Sequence, residues 1–506
     1  SITNNIFIMN TNDIWVLNPD YEFKSDLDRI CIYSKRDLQY DSNPDWVSYI
    51  HPYQAAILFS FQSKKNLQTI IKNLSDYFNI PSETFNKLIE PYLGNKQPIY
   101  TEWLGNKIVF PKNILIPIEL LKNYVKVRKI PELSVSIDKI DITDTRAHRA
   151  PHSILWMLTS KCLTDCAYCY ADKHTSYVPL STLQCFNIIN SAYKLGVRYI
   201  DIIGGEVFLH KDWDILLEHM VKLQLSPSFI STKMPVTDII IKQLLSTGYK
   251  NVIQISLDSM EDEVLSILIK AKRPYLKHVL KGIRLLDQAG YKIQINTVLT
   301  KLTATEKNLR LLAAFLSEIK NLEYWEIRVP EYSLYSSERF DEVKCNREQL
   351  IKIGKFINNK LPSFFKAKII FSHDVSDQEY QCTGPEKDCF KGGSCGLLKD
   401  QIFILPDGKV SVCEQLYWHP EFIIGDLTKN TIEQIWQSSK ALDIFNMSKE
   451  HFREISGCSQ CTFVAKCISN KRRCVIKVMK AYGKENWDYP DPRCIFAPDF
   501  QTSLKY

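Results

Sequence analysis

SILWMLTSKCLTDCAYCY, residues 153–170, begins as an apolar run and ends as a loop holding three cysteines. SILWML has the length and composition of a buried strand. Cys162, Cys166 and Cys169 then follow at spacings of four and three. Three soft ligands on one short loop suit three chemistries. Zinc would need a fourth donor, and His174 is poorly spaced to supply it. Plain buried thiols fit badly with the polar Thr164 and Asp165 between them. An iron–sulfur cubane held by three thiolates leaves one iron open to a small molecule, which a catalytic centre needs and a structural one does not.

Outward from this stretch the strand pattern repeats. VRYIDII (197–203), FIST (229–232), NVIQISL (251–257), IQINTVL (293–299) and YWEIRV (324–329) are apolar runs with helical patterns between them. Leu183, Phe186, Ile189 and Tyr193 mark one helix face, and Trp213, Leu216, Leu217, Met220 and Leu223 the next. Six strand–helix units of this size, joined by right-handed crossovers, predict an α/β fold: a partial (β/α)6 TIM-like barrel over residues 151–330. Active sites of such barrels lie at the carboxyl ends of the strands. The cysteine loop directly follows the first strand, so it is expected on that rim.

At 506 residues the chain is too long for one core. Its 45% hydrophobic and 24% charged residues describe an ordinary globular protein. With no long apolar run and no signal pattern, the chain is expected in the cytoplasm and off the membrane. A net charge of +7, spread along the chain, does not require a polyanionic partner. Fifteen cysteines, by contrast, point to metal or redox chemistry in a reducing compartment. Three are in the loop, nine lie from Cys382 to Cys494, and Cys31, Cys185 and Cys345 stand alone as expected buried residues.

CLTDCAYC resembles the CxxxCxΦC signature of radical SAM enzymes, with Tyr168 at the aromatic position. The resemblance implies a 4Fe–4S cluster on Cys162, Cys166 and Cys169 whose open iron chelates S-adenosyl-L-methionine (SAM) and cleaves it to a 5′-deoxyadenosyl radical. It also implies SAM contacts. Gly204, Gly205 and Glu206 end the second strand, where relatives meet the methionine ammonium, with Val207 in place of a common Pro. Ser231 and Thr232 end the third strand, followed by Lys233-Met234 where Asn-Gly is usual. Ser256 and Asp258, Asn296 and Arg328 stand on the fourth, fifth and sixth strands, and Arg328 is expected to meet the SAM carboxylate.

Near the C-terminus, LPDGKVSVC reads as a hairpin turning at Asp407-Gly408. Eight cysteines there suit two four-thiolate clusters, or two zinc ribbons. The region, 381–506, resembles the SPASM extension of many radical SAM enzymes. That resemblance implies one auxiliary 4Fe–4S cluster on Cys389, Cys395, Cys413 and Cys474, and another on Cys458, Cys461, Cys467 and Cys494. The chain would then hold three clusters in all. Six residues separate Cys467 from Cys474 where relatives often have three, with Lys471 in the usual place. Cys382 is left over and read as buried. Glu414 holds the place where some relatives keep an acid that deprotonates the substrate, so it joins the catalytic candidates.

The first hundred residues read as a separate module. IFIM and IWVL flank a turn-like NTND, and Leu67, Ile70, Ile71, Leu74 and Phe78 line a helix. Ser82 is expected to cap another, bearing Phe85, Leu88, Ile89 and Leu93. This order resembles the winged-helix-like peptide chaperone of pyrroloquinoline quinone biosynthesis, which implies capture of a precursor-peptide leader. Lys72, Lys87, Glu83 and Glu90 are in near balance, so nucleic acid is not the expected partner. Residues 101–150 read as a bridge and 331–380 as a connector.

The expected function is a radical SAM/SPASM maturase that crosslinks a ribosomally made peptide, through a thioether first and otherwise carbon–carbon or carbon–oxygen. A flavodoxin- or ferredoxin-like donor would supply electrons. The alternatives are a sulfatase-type or quinone-cofactor maturase, and a non-enzymatic electron carrier or zinc-stapled binding protein.

Overall fold

The computed structural model describes residues 12–103, 105–122, 141–142, 144–335, 337–371, 395–469 and 473–500. Two compact units divide the chain, Ser1–Ala150 and Pro151–Tyr506.

In the first unit, β1 (Trp15–Leu17) pairs antiparallel with β7 (Leu115–Pro117). Between them, β2 (Tyr21–Asp26), β3 (Arg29–Ser34) and β4 (Val47–Ile50) form an antiparallel sheet. Three helices follow: α1 (Pro52–Ser60), α2 (Leu67–Phe78) and α3 (Ser82–Ile89). A hairpin of β5 (Ile99–Trp103) and β6 (Asn106–Phe110) then leads to β7. α2 buries Leu67, Ile70, Ile71 and Leu74, each worth about 1.5–3 kcal/mol. Phe85 and Ile89 of α3 join the same core as Ile30, Ile32 and Phe110.

Several expectations change here. Ser82 is the first helical residue, Pro81 holds the cap position, and no side chain caps the helix. Leu88 is exposed, and Leu93 lies beyond the helix. Residue 100 falls inside β5, so the hairpin and β7 that follow it are part of the first unit's structure. IFIM lies outside the described residues, and the described partner of WVL is β7.

In the second unit, β8 (Ser153–Thr159), β9 (Tyr199–Gly204), β10 (Phe229–Thr232), β11 (Val252–Ser256), β12 (Ile293–Val298) and β13 (Leu322–Arg328) follow the anticipated runs. β8 pairs parallel with β9, and β10 to β13 form a parallel ladder in sequence order. The crossovers are α4 (Thr182–Lys194), α5 (Trp213–Lys222), α6 (Asp238–Thr247), α7 (Asp262–Ile269) with α8 (Tyr275–Gln288), and α9 (Glu306–Leu316). The result is the partial barrel.

α4 is rotated from the expected face. Cys185, Ile188, Ile189 and Ala192 are buried, whereas Leu183 and Tyr193 are 70% and 55% exposed. Cys31 and Cys345 are buried as well.

After β13 come α10 (Ser337–Val343), α11 (Arg347–Lys355), α12 (Leu361–Phe364) and β14 (Ile369–Ile370), which extends the β13 edge in parallel. β15 (Gln401–Ile404) adds to the opposite edge, parallel to β8. It turns back through Gly408, at φ +84°, into β16 (Lys409–Ser411) and then β17 (Ile423–Asp426). The hairpin read from LPDGKVSVC is thus built onto the barrel sheet. α13 (Ile432–Trp436), α14 (Ser439–Phe445), α15 (Val464–Ser469) and α16 (Val475–Tyr482) complete the chain. Among the described residues, no helix is long and apolar enough to cross a membrane.

Candidate active site

β8 ends at Thr159, and the cysteine loop leaves from the carboxyl rim. The end of β9 holds the base of that loop. The Gly205 N–H donates to the Thr159 carbonyl (2.7 Å) and the Glu206 N–H to the Lys161 carbonyl (2.7 Å). A Cβ on Gly205 would lie 2.3 Å from the Lys161 carbonyl oxygen, and one on Gly204 2.8 Å from that of Thr159. These glycines are required by the approach of two backbones. The far side of the loop rests on α7, where the Asp165 and Ala167 N–H groups donate to the carbonyls of Ile269 and Leu268.

Asp165 fixes the outer face. It pairs with Lys173 (3.3 Å), Lys270 (2.7 Å) and Arg339 (3.1 Å), and hydrogen bonds from Lys270, foremost, hold its pKa down at about 2. The Thr164 hydroxyl lies 3.5 Å from the sulfurs of both Cys162 and Cys166. Burial pushes the Cys166 and Cys169 thiols up, and the cations Lys233 and Lys173 oppose that rise. A metal bound by these thiols would displace the protons that burial otherwise holds on them.

The inner face is a buried ionic knot. The Tyr168 hydroxyl donates to Asp258 Oδ2, and Lys233 Nζ lies 2.9 Å from both that oxygen and the Tyr168 oxygen. Asp258 Oδ1 accepts from the Val298 N–H (2.9 Å), which fixes the carboxylate to β12. Glu206 is buried and raised by that burial, against which Thr232 and the Lys233 and Met234 amides act. Its Oε1 accepts from the Thr232 hydroxyl (2.6 Å), and its Oε2 from the two amides (3.1 Å each). A carboxylate expected to meet a ligand's ammonium is therefore already engaged in tying β9 to β10.

The other barrel residues divide by position. Ser231 accepts from Gln254 (3.1 Å), and Asn296 from Gln294 (2.9 Å), in a polar barrel interior; Ser256 stands opposite Asn296 in the ladder. Arg328 is committed to Glu326 by two contacts of 2.8 Å, and its side chain is 55% exposed. On the inner side of the loop the cation is Lys233, which stands where Asn-Gly is usual; its side chain is 13% exposed, that of Lys173 on the outer face 12%. Glu414 follows Cys413 and is raised by burial, with Arg328 opposing. Both Glu414 and Arg328 act electrostatically on Tyr170, next to Cys169, so they share its surroundings.

The C-terminal thiols fall into two neighbourhoods. Burial pushes Cys413 up to about 12, with Cys474 and Cys395 among its charged neighbours. Burial does the same to Cys467, whose neighbours include Cys458 and Cys494, while Cys461 adjoins Cys458. Cys389, Cys382 and Lys471 lie outside the described residues. The Cys474 N–H donates to Asp491 (2.9 Å) at the start of α16, and Arg473 beside it is half-buried, donating to the Tyr489 carbonyl (2.9 Å). An apolar cavity walled by Leu397, Phe422, Met447 and Phe452 lies between Cys395 and Cys467. Burial of this kind is what tunes a cluster's potential.

None of the described cysteines is joined in a disulfide. Among the described residues, no three His, Cys, Asp or Glu side chains converge as ligands of one ion. A cubane instead spreads its thiolates over separate irons, and the grouped, largely half-buried thiols fit that donor set.

Two domain profiles match the chain. The profile of the Radical SAM superfamily matches residues 156–311, and that of SPASM, an iron-sulfur cluster-binding domain, residues 395–462. GTP 3′,8-cyclase of Aliarcobacter butzleri is 30% identical over 166 residues, 31% of this chain and 49% of that protein. The chain thus spans about half the length of that relative. Mycofactocin maturase MftC of Mycobacterium tuberculosis is 23% identical over 351 residues, covering 68% of this chain and 83% of that protein. Among solved structures, Streptococcus suis SuiB bound to precursor peptide SuiA shares the fold. Its TM-score is 0.56 at 13% identity, covering 96% of this chain and 99% of that one.

Proposed function

We propose that this chain, an enzyme carrying a radical SAM domain and a SPASM domain, matures a ribosomally made precursor peptide by crosslinking two of its residues. The observation behind this reading is the three-thiol loop, pinned by main-chain bonds at the rim of the partial barrel. It is supported by the likeness to a protein named as a maturase and to a fold solved with its precursor peptide.

In this reading Cys162, Cys166 and Cys169 hold a 4Fe–4S cluster. The C-terminal sets, with Cys389 completing the first, hold two more. The cluster and SAM together supply a 5′-deoxyadenosyl radical that removes hydrogen from an unactivated carbon. The chain's own residues do the rest. Glu414, its carboxylate made more basic by burial, takes the proton of the attacking group. For a thioether, a carbon–hydrogen and a sulfur–hydrogen bond are lost and one carbon–sulfur bond forms. The electron left over departs toward the C-terminal thiols. The first unit takes the peptide's leader as an added strand, main-chain bonds giving affinity and pockets giving selectivity. A flavodoxin- or ferredoxin-like protein in the cytoplasm delivers the electrons.

Co-expression with a short peptide encoded beside this gene tests the reading. The expected product has lost two hydrogens per crosslink, and a core cysteine that resists alkylation marks the bond as a thioether. An unchanged peptide mass, with iron loaded and 5′-deoxyadenosine formed, overturns the peptide substrate. Zinc without iron in anaerobically purified protein overturns the whole reading.

A further inference from the structure

Lys233 is a long cation held where a solvated surface lysine has no place. Its side chain is 13% exposed and that of Asp258 is 0% exposed. Both ends of the residue are fixed. Its N–H donates to Glu206 (3.1 Å), and its carbonyl accepts from the Tyr275 hydroxyl (2.6 Å). Its ammonium contacts Asp258 and the Tyr168 hydroxyl, and lies 5.3 Å from the centre of the Tyr168 ring. Tyr168 stands between Cys166 and Cys169, so the charge is fastened to the segment that carries two of the loop's three sulfurs. Lys173, the other cation near those sulfurs, belongs to the loop itself and is paired with Asp165 on the outer face.

We propose that Lys233, held by Asp258 and Tyr168, is a fixed positive charge that makes a cluster on the 162–169 loop easier to reduce. This rests on the reading that the loop carries such a cluster. Reduction adds one electron, taken from an external donor, and so one negative charge to the cluster. A cation held close in a poorly solvated site favours the reduced form, and an anion held close disfavours it. The pair Lys233–Asp258 thus contains two opposed terms, both in contact with the Tyr168 hydroxyl, and of the two the cation acts more strongly on the Cys166 sulfur.

Opposed signs make the test specific. Midpoint potentials would be taken by redox titration of the full-length protein, following the electron paramagnetic resonance signal that changes when SAM is added. K233M is expected to shift the midpoint to more negative values, D258N to more positive values, and K233R to leave it near the wild type. Loss of packing alone would not move two variants in opposite directions. Midpoints that stay put, or move the same way in K233M and D258N, overturn the proposal while the cluster reading stands. Should K233M fail to retain iron, D258N still decides the sign, and a midpoint there that stays put or moves to more negative values overturns the proposal. A wild-type protein with no SAM-responsive signal sinks the cluster reading and this proposal with it.

Discussion

A methyl group at position 205 would put its carbon 2.3 Å from the Lys161 carbonyl oxygen and 2.5 Å from that of Ser160. No side-chain rotation relieves a clash with backbone, so G205A must push the base of the cysteine loop away from β9. The expected cost is about 1–3 kcal/mol of overpacking, felt at the loop more than in the core. Iron per chain should fall sharply while far-ultraviolet circular dichroism stays close to wild type. Retained iron would show that the loop tolerates the shift. Glu206 gives a second residue-scale prediction. In E206Q the amide NH2 must turn toward either the Thr232 hydroxyl or the Lys233 and Met234 N–H groups. The hydroxyl can rotate to accept, but the two amides cannot. If the amide nitrogen faces them, about 1–3 kcal/mol is lost for the unmade bonds, and if it faces Thr232 the loss is small. E206A leaves all three donors without this partner and should be the less stable of the two variants in denaturant melts. GGE was legible in the sequence as a strand-end motif. Its work on the neighbouring backbone was not, because nothing local in the sequence tells which carbonyl will lie opposite a glycine.

The start of α1 is a capping box in which the His51 imidazole accepts from the Tyr53 N–H (3.1 Å) and the Gln54 side chain accepts from the His51 N–H (3.0 Å). A protonated imidazole has no lone pair to offer, and burial holds the His51 pKa below its ordinary value of 6.5. The folded state therefore binds fewer protons than the unfolded chain between those two values. The cap's contribution is complete above pH 6.5 and is lost as the pH falls through the lowered value. H51N keeps an acceptor and does not titrate. Relative to wild type it should gain stability as the pH drops from about 7.5 to about 5, by up to the worth of a cap, about 0.5–2 kcal/mol. Thermal midpoints of the two proteins across that range measure it, and a constant gap would mean that His51 does not act through its cap. The strands of the barrel were readable because apolar residues recur along each, as Ile293 and Ile295 do in β12, alternating there with the polar Gln294 and Asn296. The α4 face was not, since Leu183 and Tyr193 fit the helical period as well as Cys185 and Ala192 do. Which set is buried depends on the elements packed against the helix, among them α5 and α13, which come later in the chain. Ser82 illustrates the same limit at a helix end: it has the chemistry of a cap, but the fixed φ of Pro81 places the helix start one residue earlier than a serine cap would.

At the scale of the whole chain, every thiol of the three proposed clusters belongs to residues 151–506, whereas the core built on α2, α3 and the β3 strand is drawn from residues 15–142. No short stretch of sequence shows that β1 closes on β7 about a hundred residues later, or that β15 joins β8 across an even longer gap. Those pairings, which fix the extent of each unit, are long-range and depend on the folded sheet. They also move the informative cut from residue 100, which would split the β5–β6 hairpin, to residue 150. A chain of residues 151–506 should keep about twelve iron atoms, four for each cubane, and should still release 5′-deoxyadenosine when reduced in the presence of SAM. Its affinity for a leader-bearing peptide should fall at least tenfold, a loss of about 1.4 kcal/mol or more. Fluorescence anisotropy of the labelled leader reads the affinity, and iron content read beside it shows whether the shortened chain is intact. Equal leader affinity at full iron content would remove the first unit from recognition and leave the barrel as the peptide's binding surface. Low iron would instead show that the clusters need the first unit for their assembly.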